Sequence, residues 1–305
     1  MQLESLPDEI LLEIFSYMNM QELLRYSQVS KRIRAICSDK SLWEHTELIQ
    51  KRVKSEFIKS ILDRNCEVLA IRNTVIDGFV KLNRPSKLAY LSLKSSIKGD
   101  STKDFIKEIL NSCCSLEVLE LTYKPTHSLN IVLQDLCKRN GQTLIELDLS
   151  GTWISKNSAH VISKYCTQLK KINLFNSGMS DDALDIFISA VSPNAKIVYL
   201  ALNNLTDKQT ETLVSRCNGI TELVLSYSEL TDTSITSVIK HLKQSLEYLD
   251  IKGIQEISFE KVLELKSMPR LQILNYGFKS WHTMDLRKKL PHLKINEVLG
   301  RGYNF

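Results

Sequence analysis

Six histidines, seven cysteines and a scatter of carboxylates are the residues of this chain able to carry proton transfer, nucleophilic attack or metal ligation. Their spacing argues against all three. His45, His127, His160, His241, His282 and His292 are spread along the chain, and no cysteine pair has the C-x-x-C spacing of a metal or redox site. No G-x-S-x-G, phosphate-loop or H-E-x-x-H pattern occurs. Glu146 and Asp148 stand two apart, but they alternate with Leu147 and Leu149, which marks strand patterning and not a tuned acid and base. A cysteine hydrolase would need one thiol in an exposed, electropositive pocket. Cys113, Cys166 and Cys217 instead each stand three residues before an apolar position (Leu116, Leu169, Ile220), where small buried hydrophobes of a reducing compartment are expected. No catalytic residue, metal ligand or cofactor is assigned.

The chemistry that remains is recognition, and a repeated element positions it. From Leu144 to Gln168 the chain reads L-x-x-L-x-L at Leu144, Leu147 and Leu149, a short strand. From Ser155 it changes to helical spacing, with Ala159, Val161, Ile162, Tyr165 and Cys166 on one side. So short a strand and helix cannot bury their own apolar faces and must stack on copies. The copies begin at Leu88, Leu116, Leu144, Leu169, Ile197, Ile220, Leu246 and Leu271, 23 to 28 residues apart, with weaker ones at Cys66 and Trp43. That is the period of leucine-rich repeats, and the cysteine placement resembles their cysteine-containing class.

In such a strand the leucines point into the core, and the third and fifth positions line a concave parallel sheet backed by convex helices. The third positions are then Tyr90, Val118, Glu146, Lys171, Tyr199, Glu222, Tyr248 and Ile273; the fifth are Ser92, Glu120, Asp148, Asn173, Ala201, Val224, Asp250 and Asn275. Exposed aromatics beside carboxylates suit a protein partner with apolar and basic contacts. The expected substrate-binding residues are Phe175, Tyr199, Asn204, Glu222, Tyr227, Tyr248, Asp250 and Phe278. A cationic run, Lys279, Arg287, Lys288, Lys289, Lys294 and Arg301, reads either as a solvated end-cap or as a guide for an acidic or phosphorylated segment.

The 305 residues, 43% apolar and 25% charged, suffice for one solenoid, and no apolar run reaches the length of a membrane span. Met1 to Pro7 has no signal-peptide core, so cytoplasm or nucleus is expected. A net charge of +5 without a basic tract argues against nucleic acid. Lys51 to Asn65 reads as a helix with Val53, Phe57, Ile58, Ile61 and Leu62 on one side, and Asn83 to Ser86 is the least regular point of the array. Ser180, Thr206 and Thr231 are expected helix caps.

Residues Leu6 to Trp43 do not fit the repeat. Pro7, with Ser5 and Asp8 at capping-box spacing, opens a helix whose broad stripe is Ile10, Leu11, Ile14, Phe15 and Met18; Asn19 with Glu22 opens a second helix, and a third starts from Ser30. Three helices this short and this apolar need a partner. Leu42 and Trp43 are expected to seal the first repeat, leaving Pro7, Leu11, Ile14 and Phe15 outward.

Leu6-Pro7-Asp8-Glu9-Ile10-Leu11, Ile14-Phe15, Leu23-Leu24, Val29-Ser30-Lys31-Arg32 and Leu42-Trp43 resemble the F-box, with Ile33 where the family usually has Trp. F-box followed by cysteine-type repeats is similar to the F-box/leucine-rich-repeat family. Within it, the pattern through Val262-Leu263-Glu264-Leu265, Met268-Pro269, Leu271 and Leu290 to Asn296 is most similar to the S-phase kinase-associated type. The resemblance implies an α/β chain with an F-box at 1–43 and a substrate-binding repeat domain at 44–305. It implies a non-catalytic substrate receptor of an SCF ubiquitin ligase in protein degradation and the cell cycle. A Skp-type adaptor, contacted by Leu6, Pro7, Ile10, Leu11, Ile14, Phe15, Met18, Leu23, Leu24 and Val29, would link it to cullin and RING subunits. The narrower likeness would add a phosphorylated substrate and a Cks-type accessory subunit, although the long N-terminal segment and C-terminal tail of that type have no counterpart here. The alternatives are a repeat scaffold whose first helices are only a cap, and an F-box protein acting outside ligases.

Overall fold

The computed structural model describes residues 5–94, 102–122, 127–277 and 280–296, and the chain divides into two compact units, Met1–Glu120 and Leu121–Phe305.

Three short helices lead the first unit. α1 (Asp8–Ser16) follows Pro7, which forms no side-chain cap; the Asp8 carboxylate, expected in a capping box with Ser5, turns instead to Arg32. α2 (Met20–Tyr26) has the reciprocal box its spacing predicts: Asn19 accepts from the Gln21 and Glu22 amides while Glu22 accepts from the Asn19 N–H at 2.8 Å. α3 (Lys31–Cys37) is capped by Ser30. Trp43 is buried, as expected; its indole N–H donates to the Cys37 carbonyl at 2.8 Å, and its ring stands edge-on to Phe57 and under the Arg64 guanidinium.

The chain continues through β1 (His45–Ile49), β2 (Arg52–Lys54), α4 (Ser55–Leu62), β3 (Val68–Arg72), β4 (Val75–Asp77), β5 (Tyr90–Leu93), α5 (Thr102–Ser112) and β6 (Val118–Leu121). β1, β3, β5 and β6 are neighbours in that order, with His45 opposite Val68 and Val68 opposite Tyr90. So the two weak repeats at Trp43 and Cys66 are genuine. The helix expected from Lys51 begins only at Ser55, because Arg52–Lys54 is drawn into a separate parallel pair with β4, closed by an Arg52–Asp77 ion pair. The repeat between β4 and β5 has no helix. Its strap is fastened where the Leu82 N–H donates to Glu108 Oε1 at 2.7 Å and the Ser86 N–H donates to the Ser112 carbonyl at 2.8 Å.

The second unit comprises α6 (His127–Asn140), β7 (Glu146–Asp148), α7 (Lys156–Tyr165), β8 (Lys171–Asn173), α8 (Asp181–Ala190), β9 (Ile197–Tyr199), α9 (Asp207–Arg216), β10 (Glu222–Val224), α10 (Asp232–Leu242), β11 (Tyr248–Asp250), α11 (Phe259–Leu263), β12 (Ile273–Asn275), α12 (Ser280–Lys289) and β13 (Lys294–Ile295). Its strands pair in parallel and in chain order. Leu147, Ile172, Val198, Leu223, Leu249 and Leu274 are buried at the centre of successive strands. One register differs from the expected one: Lys171 pairs with Ile197 and Asn173 with Tyr199, so the β9 repeat is Ala195, Val198, Leu200, two residues earlier than Ile197, Leu200, Leu202. Ala195 is buried in the leucine place and Leu202 is left exposed.

Polar contacts stitch one repeat to the next. Asn203 is buried; its amide donates to the Leu174 carbonyl at 2.6 Å, and its oxygen accepts from the Ser177 N–H and hydroxyl at 3.1 and 2.9 Å. Four residues past the central strand residue, Gly151, Asn176, Leu202, Tyr227 and Gly253 all have positive φ. Cys113, Cys166 and Cys217 are buried as expected, and burial pushes the Cys217 thiol up to about 11.

Candidate functional site

The N-terminal module sorts its apolar residues into two sets. Leu11 and Phe15 are fully buried with Leu23, Ile33 and Ile36, so the core of the three helices passes through the residues expected to face outward. A helix of this width can turn only half of its stripe to α2 and α3, and Phe15 fills that side, its ring 5.9 Å from Tyr26. The outward half is Pro7, Ile10, Tyr17, Leu24 and Val29, with Leu6, Ile14 and Met18 half-buried; Tyr17 is 84% and Val29 64% exposed. Of the ten expected adaptor contacts, Leu11, Phe15 and Leu23 therefore belong to the interior. Tyr17 was missed, although it falls on the Ile10 and Ile14 side at helical spacing. Arg32 fixes the entry of this face: it donates to Asp8 Oδ1 at 2.9 Å from Nε and at 2.5 Å from a terminal nitrogen, and to the Leu6 carbonyl at 2.7 Å.

On the sheet of the first unit a polar group was also missed. The Tyr90 hydroxyl donates to Glu120 Oε2 at 2.9 Å, and Lys94 and Arg72 approach the same carboxylate at 3.3 and 3.9 Å. Burial, and then the Glu120 charge, raise the Tyr90 phenol above its ordinary value.

The sheet of the second unit gathers most of the expected substrate contacts into one patch. Tyr199 and Tyr248 are only 6% and 4% exposed, and they pack with Ala201 and Val224 beneath Phe175, Ile197 and Ile273. The Tyr199 hydroxyl donates to Glu222 Oε2 at 2.5 Å. The Asn275 amide donates to the Tyr248 oxygen at 2.7 Å and to Asp250 Oδ2 at 3.1 Å. These phenols were expected to be exposed anchors. They lie down across the sheet instead, because each has a carboxylate within reach of its hydroxyl and a small neighbour (Ala201, Val224) to cover. The patch is a stiff apolar floor with acceptors at its surface. Asn204 and Tyr227 stand exposed beyond the strand ends, and Phe278 lies outside the described residues. Of the cationic run, Arg287 donates to the Ile295 carbonyl at 3.3 Å and Lys289 stands over the Phe259 ring; Lys279 and Arg301 lie outside the described residues.

A family profile described as F-box-like matches residues 3–48. The chain is 21% identical over 290 residues to F-box/LRR-repeat protein 21 of Mus musculus, covering 90% of this chain and 59% of that protein. It is 36% identical over 62 residues to F-box/LRR-repeat protein 12 of Homo sapiens, covering 20% of this chain and 19% of that protein. The chain thus spans less than two thirds of the length of these relatives. In fold it is similar to a chain of the crystal structure of the Rad7 and Elc1 complex in yeast, with a TM-score of 0.56 at 16% identity over 95% of this chain and 92% of that one.

Proposed function

The chain is an F-box/leucine-rich-repeat protein, and from that premise we propose that it is the non-catalytic substrate-recognition subunit of an E3 ubiquitin ligase of the SCF type, cytoplasmic or nuclear. The observation that carries the reading is the division of the N-terminal module: it completes its own core with Leu11, Phe15, Leu23, Ile33 and Ile36 and still turns Pro7, Ile10, Tyr17, Leu24 and Val29 to solvent. A solenoid cap would need the first set only. The second set docks a Skp-type adaptor and, through it, cullin and RING subunits. Residues 1–43 are the docking module and 44–305 the repeat domain, whose sheet holds the target protein. A phosphorylated target or a Cks-type accessory subunit would be additions to this scheme and not conditions of it.

Co-expression with the adaptor tests the reading. The wild-type chain should co-purify with a Skp-type adaptor, and Ile10→Asp should abolish this while leaving the circular dichroism spectrum unchanged. Because the similar yeast chain comes from the crystal structure of the Rad7 and Elc1 complex, Elc1 belongs in the same experiment. Binding to neither would leave a repeat scaffold.

A further inference from the structure

Leu202 and Tyr227 occupy a backbone conformation that their residue types avoid. Their φ angles are 58° and 57°, in the left-handed region where a bulky side chain crowds its own backbone. The chain has the unstrained solution at hand, since Gly151, Asn176 and Gly253 hold the equivalent place in neighbouring repeats. Both large apolar side chains nevertheless leave much of their surface to solvent, at 40% and 46% exposed. Strained residues that the surroundings hold in place gather at binding sites.

The two are also held ready. The Leu202 N–H donates to the Ser226 carbonyl at 3.1 Å and the Tyr227 N–H to the Lys252 carbonyl at 3.0 Å, so they stand on adjacent repeats at one edge of the sheet. The Tyr227 ring lies against the next repeat: a Cβ on Gly253 would come within 2.5 Å of its Cδ1 and Cε1. Trp153, exposed on the same edge, rests likewise on Gly178, where a Cβ would lie 3.0 Å from its Cδ1. Rings braced on glycines lose little freedom when a partner covers them. The charge beside them is net negative: segments 200–206, 226–231 and 250–256 carry Glu229, Asp250 and Glu256 against one cation, Lys252.

We propose that this edge, anchored by Leu202 and Tyr227, is where a target protein docks, through an extended segment of apolar residues flanked by lysine or arginine. Calling the occupant a substrate rests on the receptor reading above. The docking itself does not.

The test uses the full chain and two synthetic fluorescent peptides with the same leucine and phenylalanine residues, one flanked by lysines and one by glutamates, followed by anisotropy. The lysine peptide should bind and the glutamate peptide should not. The Leu202→Asn, Tyr227→Asn double variant, with a residue type the chain itself uses at this place, should weaken binding at least tenfold without lowering the melting temperature. Unchanged binding by the double variant, no binding of the lysine peptide to wild type, or equal binding of both peptides would each overturn the proposal. Adaptor co-purification is read on the same samples: its failure removes the ligase reading and leaves the docking edge standing.

Discussion

Thr231 donates both its backbone N–H and its hydroxyl to the carboxylate of Asp207, one repeat earlier, at 3.0 and 2.6 Å. Ser258 repeats the arrangement on Asp232, at 2.8 and 2.7 Å. The first residue of each of these helices thus orders the cap of the next, and the helix row is tied together by carboxylates as the sheet is by its ladder.

That tie depends on charge. Burial works to raise the Asp207 carboxyl, and hydrogen bonds from Ser234 and Thr231 outweigh it, leaving it below the ordinary carboxylate value. A depressed folded-state value means stability that is present above the unfolded value, about 3.9, and lost as pH falls through the folded one. Asp207→Ala should cost about 1–3 kcal/mol at pH 7, and the difference from wild type should shrink below about pH 4. Urea titrations at pH 7 and pH 3.5 measure both; a difference independent of pH would mean the carboxylate acts by shape alone.

Ile10 and Leu11 are neighbours with opposite assignments. Leu11→Ala opens a cavity in the three-helix core and should destabilise the module by about 2–5 kcal/mol. Ile10→Asp should leave the melting curve unchanged and reduce adaptor affinity at least tenfold, about 1.4 kcal/mol. Melting curves and adaptor titrations on both variants decide, and the reverse pattern would exchange their roles.

The thiols give a prediction that needs no partner. Among the seven cysteines only Cys114 is exposed. Burial raises Cys66 to about 11 and also sets Cys217 at about 11, so neither holds much thiolate at neutral pH. Native labelling at pH 7 should modify Cys114 rapidly, and the other six should react only after denaturation. Rapid native labelling of Cys113, Cys166 or Cys217 would contradict the packing.

What the sequence made legible follows from what periodicity encodes. The strand spacing located the repeats back to Trp43, and the cap residues at Asn19, Ser180, Thr206 and Thr231 do what their types predict. A helical wheel shows that the α1 stripe is wide but not which half turns inward, so Leu11 and Phe15 were placed on the wrong side. The β9 phase was hidden because Ala195 fills a leucine place and Leu202 imitates one. The left-handed turns were not read from the sequence at all: glycine and asparagine at positions 151, 176 and 253 fit them by residue type, whereas Leu202 and Tyr227 signal nothing of the kind.

Tyr199 and Tyr248 separate a floor from a docking surface. With Val224 and Ala201 they form a buried cluster, so truncation acts on the fold first. Each change to alanine should cost about 3–5 kcal/mol, by analogy with large aromatic deletions, and the urea midpoint should fall with little change in slope. Tyr199→Phe keeps the ring and removes the hydroxyl that donates to the Glu222 carboxylate, so it should cost about 1.5–3 kcal/mol, less than the alanine change. Loss of target binding in the alanine variants would therefore not identify a contact, whereas loss in a Tyr199→Phe protein that remains folded would place the phenol and Glu222 in the interface. Should the Tyr199→Ala, Tyr248→Ala protein keep the wild-type midpoint, the two rings do not hold the sheet, and the concave aromatics are free to serve as anchors.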